Sequence, residues 1–403
     1  MSAASDDDHD IDTAGRYGYV PPDANLYIPV QRRGAVLWGG PPDVTVVAPG
    51  RIEIVGNHVD YNGGDVITAA VDRWMAVVAQ RRDDGLLHAS APDAAREASV
   101  EPLELARAFD RREDPVEPSW FDFPRAAVAA TAAAGIETSG VAFYYRGTIP
   151  PGVGMASSAA LLVALVTAIA KLAGMTLARY DIALIAQQAE HRIGAPVGLL
   201  DQVSSVAGGL LRFSNRREEI RRLTPHLGEA VFAVVDSGIR HALPGSRYAV
   251  RVAECREAVG ILRHAGYEVE ELAGLSLADL ESAAALLPDP LDRRLRHVVE
   301  EVERVRQAEA AIEAGDTAAL GRLMDASGRS SDALYDISHP AVEAIVAAAR
   351  EAPGVYGARM MGGGDGGAAI VLVERDAVPA LERALGDGAL TICRIARGAT
   401  VVS

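Results

Sequence analysis

The stretch GRIEIVGNHVDYNGG, residues 50–64, decides how the rest of this sequence is interpreted. Its first half has the apolar, β-branched character of a buried strand. Its second half places Asn57, His58, Asp60 and Tyr61 directly before two glycines. A strand that only filled a core would not end on four polar side chains and a tight turn. The stretch therefore predicts a strand that delivers polar groups to a functional site.

Composition limits the classes of function. The chain has 403 residues, of which 49% are apolar and 23% charged, which is enough for two well-filled cores. Lys and Arg number 39 against 55 acidic residues, a net charge of -16 that repels nucleic acid, so we expect no nucleic-acid partner. Two cysteines, Cys255 and Cys393, fit a reducing cytoplasm and are expected to be small core residues.

Two segments bear on targeting and membranes. The N-terminal MSAASDDDHDID has no basic start and no apolar run, so we expect a disordered acidic tail over residues 1–20 rather than a signal peptide. The uncharged run at 155–174 stops at Lys171, short of the roughly 20 residues that a bilayer span needs. It predicts a buried helix, and hence a cytoplasmic protein without a membrane partner.

The order of predicted elements is neither a strict β-α alternation nor all-α, and it predicts an α+β protein. We expect an N-terminal lobe over 21–215 and a C-terminal lobe over 216–403. Strands are predicted at 43–56, 70–82, 140–149, 209–215, 230–238, 354–373 (two, joined by a turn) and 390–396. Helices are predicted at 157–172, 178–194, 245–266, 276–287, 291–314, 317–328, 339–352 and 377–386.

The loop PPGVGMASSAALL, residues 150–162, opens directly into a helix of small residues. Such a helix start offers unpaired N–H groups and the positive end of a dipole to phosphate oxygens. Ser157 and Ser158 are able either to cap the helix or to bind a metal that accompanies the phosphates. No G-K-[ST] follows, so this is not a Walker loop. The loop by itself is equally consistent with a phosphate site and with a plain capped helix.

Two further glycine-rich stretches stand out. QQAEHRIGAPVGLLDQVSS at 187–205 puts Glu190 on a helix and Asp201 just past a glycine-interrupted loop, where it is either a general base, an ion-pair partner or a surface cap. His191 is expected to be structural. MMGGGDGGA at 360–368 indicates either close approach of the backbone to another group or a flexible hairpin tip.

Taken together and in order, these stretches resemble the GHMP small-molecule kinases, and within them the galactokinases. GRIEIVGNHVDYNGG is similar to the signature G-R-[VI]-N-[LI]-I-G-E-H-x-D-Y-N-G-G, and PPGVGMASSA to the second motif P-x-G-x-G-L-x-S-S-A. The segments AEHRIGAPVGLLDQVSS, VVDSGIRHALPGSRYAVRVAECREA and ARMMGGGDGGAAIVLV also resemble family segments, so the likeness spans about residues 42–397.

The resemblance implies a two-lobed GHMP kinase fold with the active site in the cleft between the lobes. It implies an ATP- and Mg²⁺-dependent sugar 1-kinase that phosphorylates the anomeric hydroxyl of galactose or of a sugar with the same ring hydroxyls, such as L-arabinose or galacturonate. We expect a monomer whose partners are the sugar and ATP. The alternatives are a non-catalytic sugar sensor that acts through a protein partner, and a GHMP kinase for a non-sugar alcohol such as mevalonate, which the H-x-D-Y-N-G-G stretch disfavours.

The resemblance also implies a role for each matching residue. Asp201 would take the proton from the anomeric hydroxyl, with Arg51 beside it. Ser158 and Glu190 would hold Mg²⁺. The residues expected to cradle the phosphates are Gly152, Val153, Gly154, Met155, Ala156, Ser157 and Ser158. The residues expected to contact the sugar are Asn57, His58, Asp60, Gly198 and Tyr248.

Five positions depart from the family's pattern. Two of them, Met155 and Ala156 in the second motif, replace a Leu and a Ser, and we expect both changes to be tolerated. Glu53 and Asn57 stand where the signature has Asn and Glu, so a carboxylate and an amide have exchanged places. Either the exchange is only a local structural swap, or the loss of the Glu that accepts from the sugar's C6 hydroxyl lets the site accept a C6 carboxylate or a missing C6. Asp365 replaces an aromatic residue in the last glycine loop, and the sequence offers no interpretation of it.

Overall fold

The computed structural model describes residues 19–91, 98–112, 118–194, 197–214, 216–240, 247–386 and 390–403. The acidic tail predicted for residues 1–20 lies outside these ranges except for Tyr19 and Val20. In these ranges the strands are β1 Val44–Val55, β2 Asp65–Arg81, β3 Leu86–Ser90, β4 Ser99–Pro102, β5 Val141–Gly147, β6 Leu210–Ser214, β7 Glu219–Leu223, β8 Ala230–Asp236, β9 Val355–Met361, β10 Ala368–Glu374, β11 Leu390–Cys393 and β12 Thr400–Val401.

The larger sheet is built around β1 and β2. Its strand order is β12-β1-β2-β5-β3-β4, and β6 pairs with β2 and in turn with β7. The long strand β2 pairs with two strands along one edge. Its first residues pair with β6, and its last residues pair with β5. Every residue of β1 is buried. A strand buried on both faces is rich in β-branched apolar residues, and such residues at both ends of β1 make it predictable from sequence although Arg51 and Glu53 lie within it.

The second sheet has the order β11-β8-β10-β9, with all neighbours antiparallel. The glycine-rich segment at 362–367 is the connection between β9 and β10, as the sequence predicts. Because β7 and β12 both pair within the larger sheet, we propose that the N-terminal lobe takes in both strands, although they follow residue 215 in the chain.

The helices complete an α+β architecture, which confirms the predicted class. Helix α4 packs on β1 and β2 of the larger sheet, and α10 and α11 pack on β9 of the second. The helices are α1 Ala24–Trp38, α2 Leu103–Arg107, α3 Asp122–Ala133, α4 Ser157–Leu172, α5 Arg179–Arg192, α6 Leu200–Ala207, α7 Arg247–His264, α8 Leu280–Ala284, α9 Leu291–Ala314, α10 Thr317–Ala333, α11 Pro340–Glu351 and α12 Val378–Leu385. Single 3₁₀ turns lie at Asp60–Asn62, Leu272–Gly274 and Arg375–Ala377.

The apolar segment before Lys171 is a buried helix, as predicted. Helix α4 has the predicted bounds, and most of its residues are buried. In the parts of the chain that the structure describes, no helix combines the length and apolar character that a membrane crossing requires. Both cysteines are unpaired and buried, in agreement with the prediction.

Some elements differ from the sequence prediction. The helix predicted over 276–287 is reduced to α8, because a hydrogen-bonded turn in which the Ser276 hydroxyl contacts Asp279 occupies its first residues. Helix α1 was not predicted, since Pro29 and Gly34 lie inside it. Further elements without a sequence prediction are α2, α3, α6, β3, β4, β7 and β12.

Candidate active site

Strand β1 and the glycine loop before α4 are in direct contact at the centre of the site. The N–H of Arg51 donates to the carbonyl of Met155 at 3.1 Å. A Cβ on Gly50 would lie only 2.6 Å from that same carbonyl oxygen, so the residue next to Arg51 has to be glycine. The register of β1 against β2 also shifts between Pro49 and Gly50, and such an irregularity changes the direction of the side chains that follow it.

The Arg51 side chain joins that loop to Asp201. Its Nε and Nη2 both contact Oδ1 of Asp201, at 2.9 and 2.7 Å, and its Nη1 donates to the carbonyl of Gly154. Asp201, which is expected just past the glycine-interrupted loop, lies in the first turn of α6, a helix that the sequence did not predict. The arginine is almost completely buried, whereas 26% of the Asp201 side chain is exposed. The carboxylate therefore remains accessible to a ligand.

The loop over 150–156 ends in a helix start that no side chain caps. Ala156, the residue directly before α4, has a φ of 57°, and Gly152 and Gly154 also have positive φ. The expected option of a serine cap is therefore wrong, because Ser157 and Ser158 are the first residues of the helix and not the residue before it. The uncapped N–H groups and the helix dipole form a site suited to phosphate oxygens.

Ser158 and Glu190 lie together at this helix start. The Ser158 hydroxyl donates to Oε1 of Glu190 at 2.5 Å, and Gln202 donates from Nε2 to Oε2 at 2.5 Å. Burial, together with the nearby charge of Asp201, raises the pKa of Glu190 to about 7. Gln202 was not singled out from the sequence. It fixes the orientation of the Glu190 carboxylate, in the way that outer residues orient metal ligands.

These oxygen donors fit a magnesium ion. In the described ranges no cluster of three or more His, Cys, Asp or Glu side chains is placed to hold a metal by itself. Mg²⁺ in phosphoryl-transfer sites is normally held by one or two protein oxygens and by substrate phosphates. A hydroxyl and a carboxylate beside a phosphate-binding helix start match that pattern, and a Mg²⁺ bound there would favour the ionised form of Glu190.

The turn after β1 brings a third carboxylate, that of Asp60, into the site. Burial, and then the charge of Glu53, raises the pKa of Asp60 to about 7. A Cβ on Gly198 would lie 2.4 Å from Oδ2 of Asp60, so glycine at 198 makes room for this carboxylate. The charge of Asp201 also acts on Asp60. Sequence positions 53, 60 and 201 therefore converge in three dimensions.

An aromatic cluster lies beside these acids. The ring centroid of His58 is 5.3 Å from that of Tyr248 and 5.1 Å from that of Tyr335. Burial, followed by the charges of His297 and Arg359, lowers the pKa of His58 to about 3, so the ring is neutral at physiological pH. Its Nδ1 contacts the Tyr61 hydroxyl at 2.9 Å, while its Nε2 is buried without a hydrogen-bond partner in the described structure. A hydroxyl-bearing ligand would satisfy such an atom.

Asn57 differs from the other candidate sugar residues because it is fully buried. Its amide nitrogen donates to Oε1 of Glu53 and to the carbonyl of Gly362, each at 3.0 Å. Its oxygen accepts from the Ser331 hydroxyl at 2.9 Å. The Asn57 amide and the Glu53 carboxylate, which have exchanged places relative to the family signature, are thus hydrogen-bonded to each other. A sugar contact by Asn57 stays a prediction.

Helix α9 holds the backbone of this turn from behind. Oε1 of the buried Glu301 accepts from the N–H groups of Gly56 and Asn57, and Nε2 of His297 contacts the Asn57 carbonyl at 2.9 Å. Burial opposes the charge on Glu301, but Arg304 and neighbouring cations outweigh it and lower the pKa of Glu301 to about 2. Neither residue was recognisable from sequence, because both lie about 240 positions from their partners.

Arg240 is a further cation that the sequence did not single out. A Cβ on Gly152 would lie 2.5 Å from the Arg240 side chain, so the guanidinium stands beside the predicted phosphate loop. Asp236 holds it with two hydrogen bonds of 2.7 and 2.6 Å. The glycine-rich connection reaches the same loop, since the position of a Cβ on Gly154 is 3.3 Å from the Met361 carbonyl.

Comparison with known proteins places this arrangement in a family. Family models match for the GHMP kinase N-terminal domain at residues 123–209, the galactokinase galactose-binding signature at 37–81 and the GHMP kinase C-terminal domain at 308–389. The galactokinase of Chloroflexus aurantiacus is 35% identical over 354 residues, which cover 87% of this chain and 89% of that protein. The chain belongs to the galactokinase family. The human galactokinase is also 35% identical, over 370 residues.

The solved structures agree with this membership. The galactokinase of Lactococcus lactis, crystallised with galactose, superposes with a TM-score of 0.86 at 25% identity and covers 93% of this chain and 99% of its own. The predicted two-lobed GHMP kinase fold is therefore confirmed, and the chain is a kinase, a phosphotransferase with an alcohol group as acceptor. ATP is the phosphoryl donor that membership of a kinase family implies.

The raised pKa of Asp60 generates a stability prediction. A carboxyl group with a pKa of about 7 in the folded state, against about 3.9 in the unfolded state, destabilises the native state increasingly as pH rises between these values. Asp60→Asn cannot ionise, so it should stabilise the protein, and its advantage in free energy of unfolding should grow by about 1 to 3 kcal/mol from about pH 5 to pH 8. Urea unfolding at the two pH values measures it.

The matched control is Glu229→Gln, since the side chain of Glu229 is 84% exposed. We expect no comparable change with pH for this variant. An advantage of Asp60→Asn that is the same at both pH values, or larger at the lower one, would contradict the buried, raised-pKa assignment.

Proposed function

We propose that this protein transfers the γ-phosphoryl group of ATP to the anomeric hydroxyl of galactose. The observation that carries the proposal is the contact of one buried arginine, Arg51, with both the Asp201 carboxylate and the loop before α4. The names of the relatives support galactose as the sugar. The names of the relatives do not support the alternative of a non-catalytic sensor. The candidate catalytic residues Arg51 and Asp201 also lie in contact, as an enzyme requires.

Asp201 is proposed to take the proton of the anomeric O–H. As that proton moves to the carboxylate, the sugar oxygen forms a bond to the γ-phosphorus, the bond from the γ-phosphorus to the bridging β-phosphate oxygen breaks, and ADP leaves. Phosphoryl transfer depends mainly on positioning and on neutralising charge. Arg51 contributes a fixed positive charge beside the transfer site. Helix α4 contributes its uncapped N–H groups to the phosphates.

Ser158 and Glu190 are proposed to hold Mg²⁺, with Gln202 orienting the carboxylate. A Mg²⁺ ion in such a site neutralises charge on the β- and γ-phosphates. We propose that the phosphates lie along Gly152–Ser158 and that Arg240 lies at the edge of this loop. On the sugar side, His58, Asp60, Gly198 and Tyr248 are proposed to form the binding surface, with Asp60 accepting from ring hydroxyls.

The choice among sugars is proposed to depend on Glu53. Its side chain is only 8% exposed, bonded to Asn57 and Arg359, and its charge acts on both Asp60 and Tyr248. The exchange of Glu53 and Asn57 therefore keeps a carboxylate next to the sugar pocket. Like charges repel strongly at partly buried positions. We infer that galactose is preferred, that L-arabinose is accepted less well and that galacturonate is disfavoured.

The proposed base generates the first functional prediction. Asp201→Asn keeps the size of the side chain and its hydrogen bond from Arg51, but it cannot accept the proton. Removing a general base typically reduces kcat by 10²- to 10⁴-fold, and we expect a loss in this range from ADP-release assays with galactose. Calorimetry should give Kd values for galactose and Mg-ATP within about threefold of wild type. A variant that kept more than about a tenth of kcat would exclude Asp201 as the base.

The proposed role of Glu53 generates a specificity prediction. For wild type, kcat/KM should fall in the order galactose, L-arabinose, galacturonate. In Glu53→Gln the ratio of galacturonate to galactose should rise roughly 10-fold, because a nearby like charge is removed and 1.4 kcal/mol corresponds to tenfold. Ratios are used because the variant also loses part of its contact with Arg359. The comparison variant is Asn57→Asp. If the kcat/KM ratios among the three sugars change more in Asn57→Asp than in Glu53→Gln, the discrimination is assigned to Asn57 instead.

A further inference from the structure

Asp365 interrupts the glycine-rich connection between β9 and β10, where the resembling family motif has an aromatic residue. The structure gives it a specific role. Its backbone has a φ of 57°, in the left-handed region that is unusual for residues other than glycine, although Asp tolerates it better than most. Its N–H donates to the Ile337 carbonyl at 2.9 Å, which fixes the tip of the connection.

The Asp365 carboxylate caps helix α7 from across the chain. Oδ2 accepts from the N–H of Arg247 at 2.8 Å, and Oδ1 accepts from Nε of the same arginine. Arg247 is the first described residue of α7, so one carboxylate accepts from the first described N–H of the helix and balances the charge of that residue's side chain. Only 18% of the Asp365 side chain is exposed, although the Arg247 side chain is 35% exposed, so the carboxylate is the less hydrated partner of the pair.

The first turns of α7 are fixed to one short segment, residues 335–338. Arg247 donates to the carbonyls of Asp336 and Ser338 at 3.0 and 2.7 Å. Arg251, one turn later, donates to the carbonyl of Tyr335 at 2.6 Å. Tyr248 lies between the two arginines in sequence, and its ring faces His58, which belongs to the proposed sugar surface. The position of Tyr248 therefore depends on how the start of α7 is held.

The opposite side of the glycine-rich connection is anchored without Asp365. The carbonyl of Gly362 accepts from Asn57, and the carbonyl of Gly367 accepts from the N–H and the hydroxyl of Ser237. This is the side that contacts the predicted phosphate loop, near Gly154. Loss of the Asp365 carboxylate should accordingly disturb the sugar side and leave the nucleotide side in place.

We propose that Asp365 is a positioning residue that holds Tyr248 against His58 by capping α7 and pairing with Arg247. The inference rests on the proposed function, in which Tyr248 and His58 contact the sugar. It assigns a purpose to a residue that the sequence alone does not explain. Asp365 acts through Tyr248 and touches neither substrate.

The test compares Michaelis constants. In Asp365→Ala we expect the KM for galactose to rise roughly 5- to 30-fold, the range of one lost charge-assisted hydrogen bond after partial compensation. The KM for ATP and kcat should stay within about threefold of wild type. Asp365→Asn, which still caps a helix well, should recover most of the loss. In a Tyr248→Ala background, Asp365→Ala should have little further effect on the sugar KM, because the two residues act in series.

Asp325→Ala is the matched control. Oδ1 of Asp325 accepts from Nε of Arg350 at 2.7 Å and from the N–H of Ala358 at 2.8 Å, and the side chain is 21% exposed. The pair has the same chemistry as the Asp365 pair and a carboxylate of similar exposure, but it joins α10 to α11 and β9. We expect this variant to lower Tm without changing the ratio of the two KM values.

Hydrogen exchange gives a readout that does not require turnover. In Asp365→Ala, and more weakly in Asp365→Asn, amides over 247–252 should exchange faster, while amides over 153–160 should not change. Equal rises in both KM values, an unchanged sugar KM, or unchanged exchange over 247–252 would each overturn the proposal. Failure of wild type to phosphorylate galactose would instead contradict the proposed function, and the exchange comparison would still decide the role of Asp365.

Discussion

The active site depends on the position of one buried guanidinium group. Arg51 contacts Asp201 through Nε and Nη2, and it contacts the Gly154 carbonyl through Nη1. The same residue's backbone N–H bonds to Met155. One residue of β1 thus fixes the distance between the proposed base and the proposed phosphate loop. Because an arginine presents its donors in a rigid plane, this arrangement sets orientation as well as distance. A lysine has no such geometry.

The site also concentrates buried charge, which destabilises the fold unless other groups compensate it. Asp60 and Glu190 both have pKa values raised to about 7 by burial. Glu301 and His297 provide support from helix α9, since they bind the backbone of the turn that carries His58 and Asp60. A turn with Gly56 and His58 both at positive φ needs this kind of external anchor. The proposed sugar side is therefore held by long-range contacts, and the proposed phosphate side by a helix start and its adjoining loop.

Much of this could be predicted from sequence where the signal is local. Helices α4 and α9 have the predicted bounds, because long apolar or amphipathic runs leave little ambiguity. Helix α6, whose first turn carries Asp201, could not be predicted, because the glycines before it mask a short helix. Gln202 is adjacent to Asp201, yet its side chain donates a hydrogen bond to Glu190, which lies twelve positions away on another helix. Glu301, His297 and Asp365 act on residues more than 100 positions away, and no periodicity encodes such contacts.

The most direct test of the account is the position of the phosphate on the product. If Asp201 and Arg51 act on the anomeric hydroxyl beside the α4 phosphate site, incubation with galactose and Mg-ATP should yield ADP and one phosphorylated sugar. A proton–phosphorus correlation NMR spectrum should then show the phosphorus coupled to the H1 proton of galactose. Coupling to the proton of any other carbon, or release of inorganic phosphate without a sugar phosphate, would contradict the account.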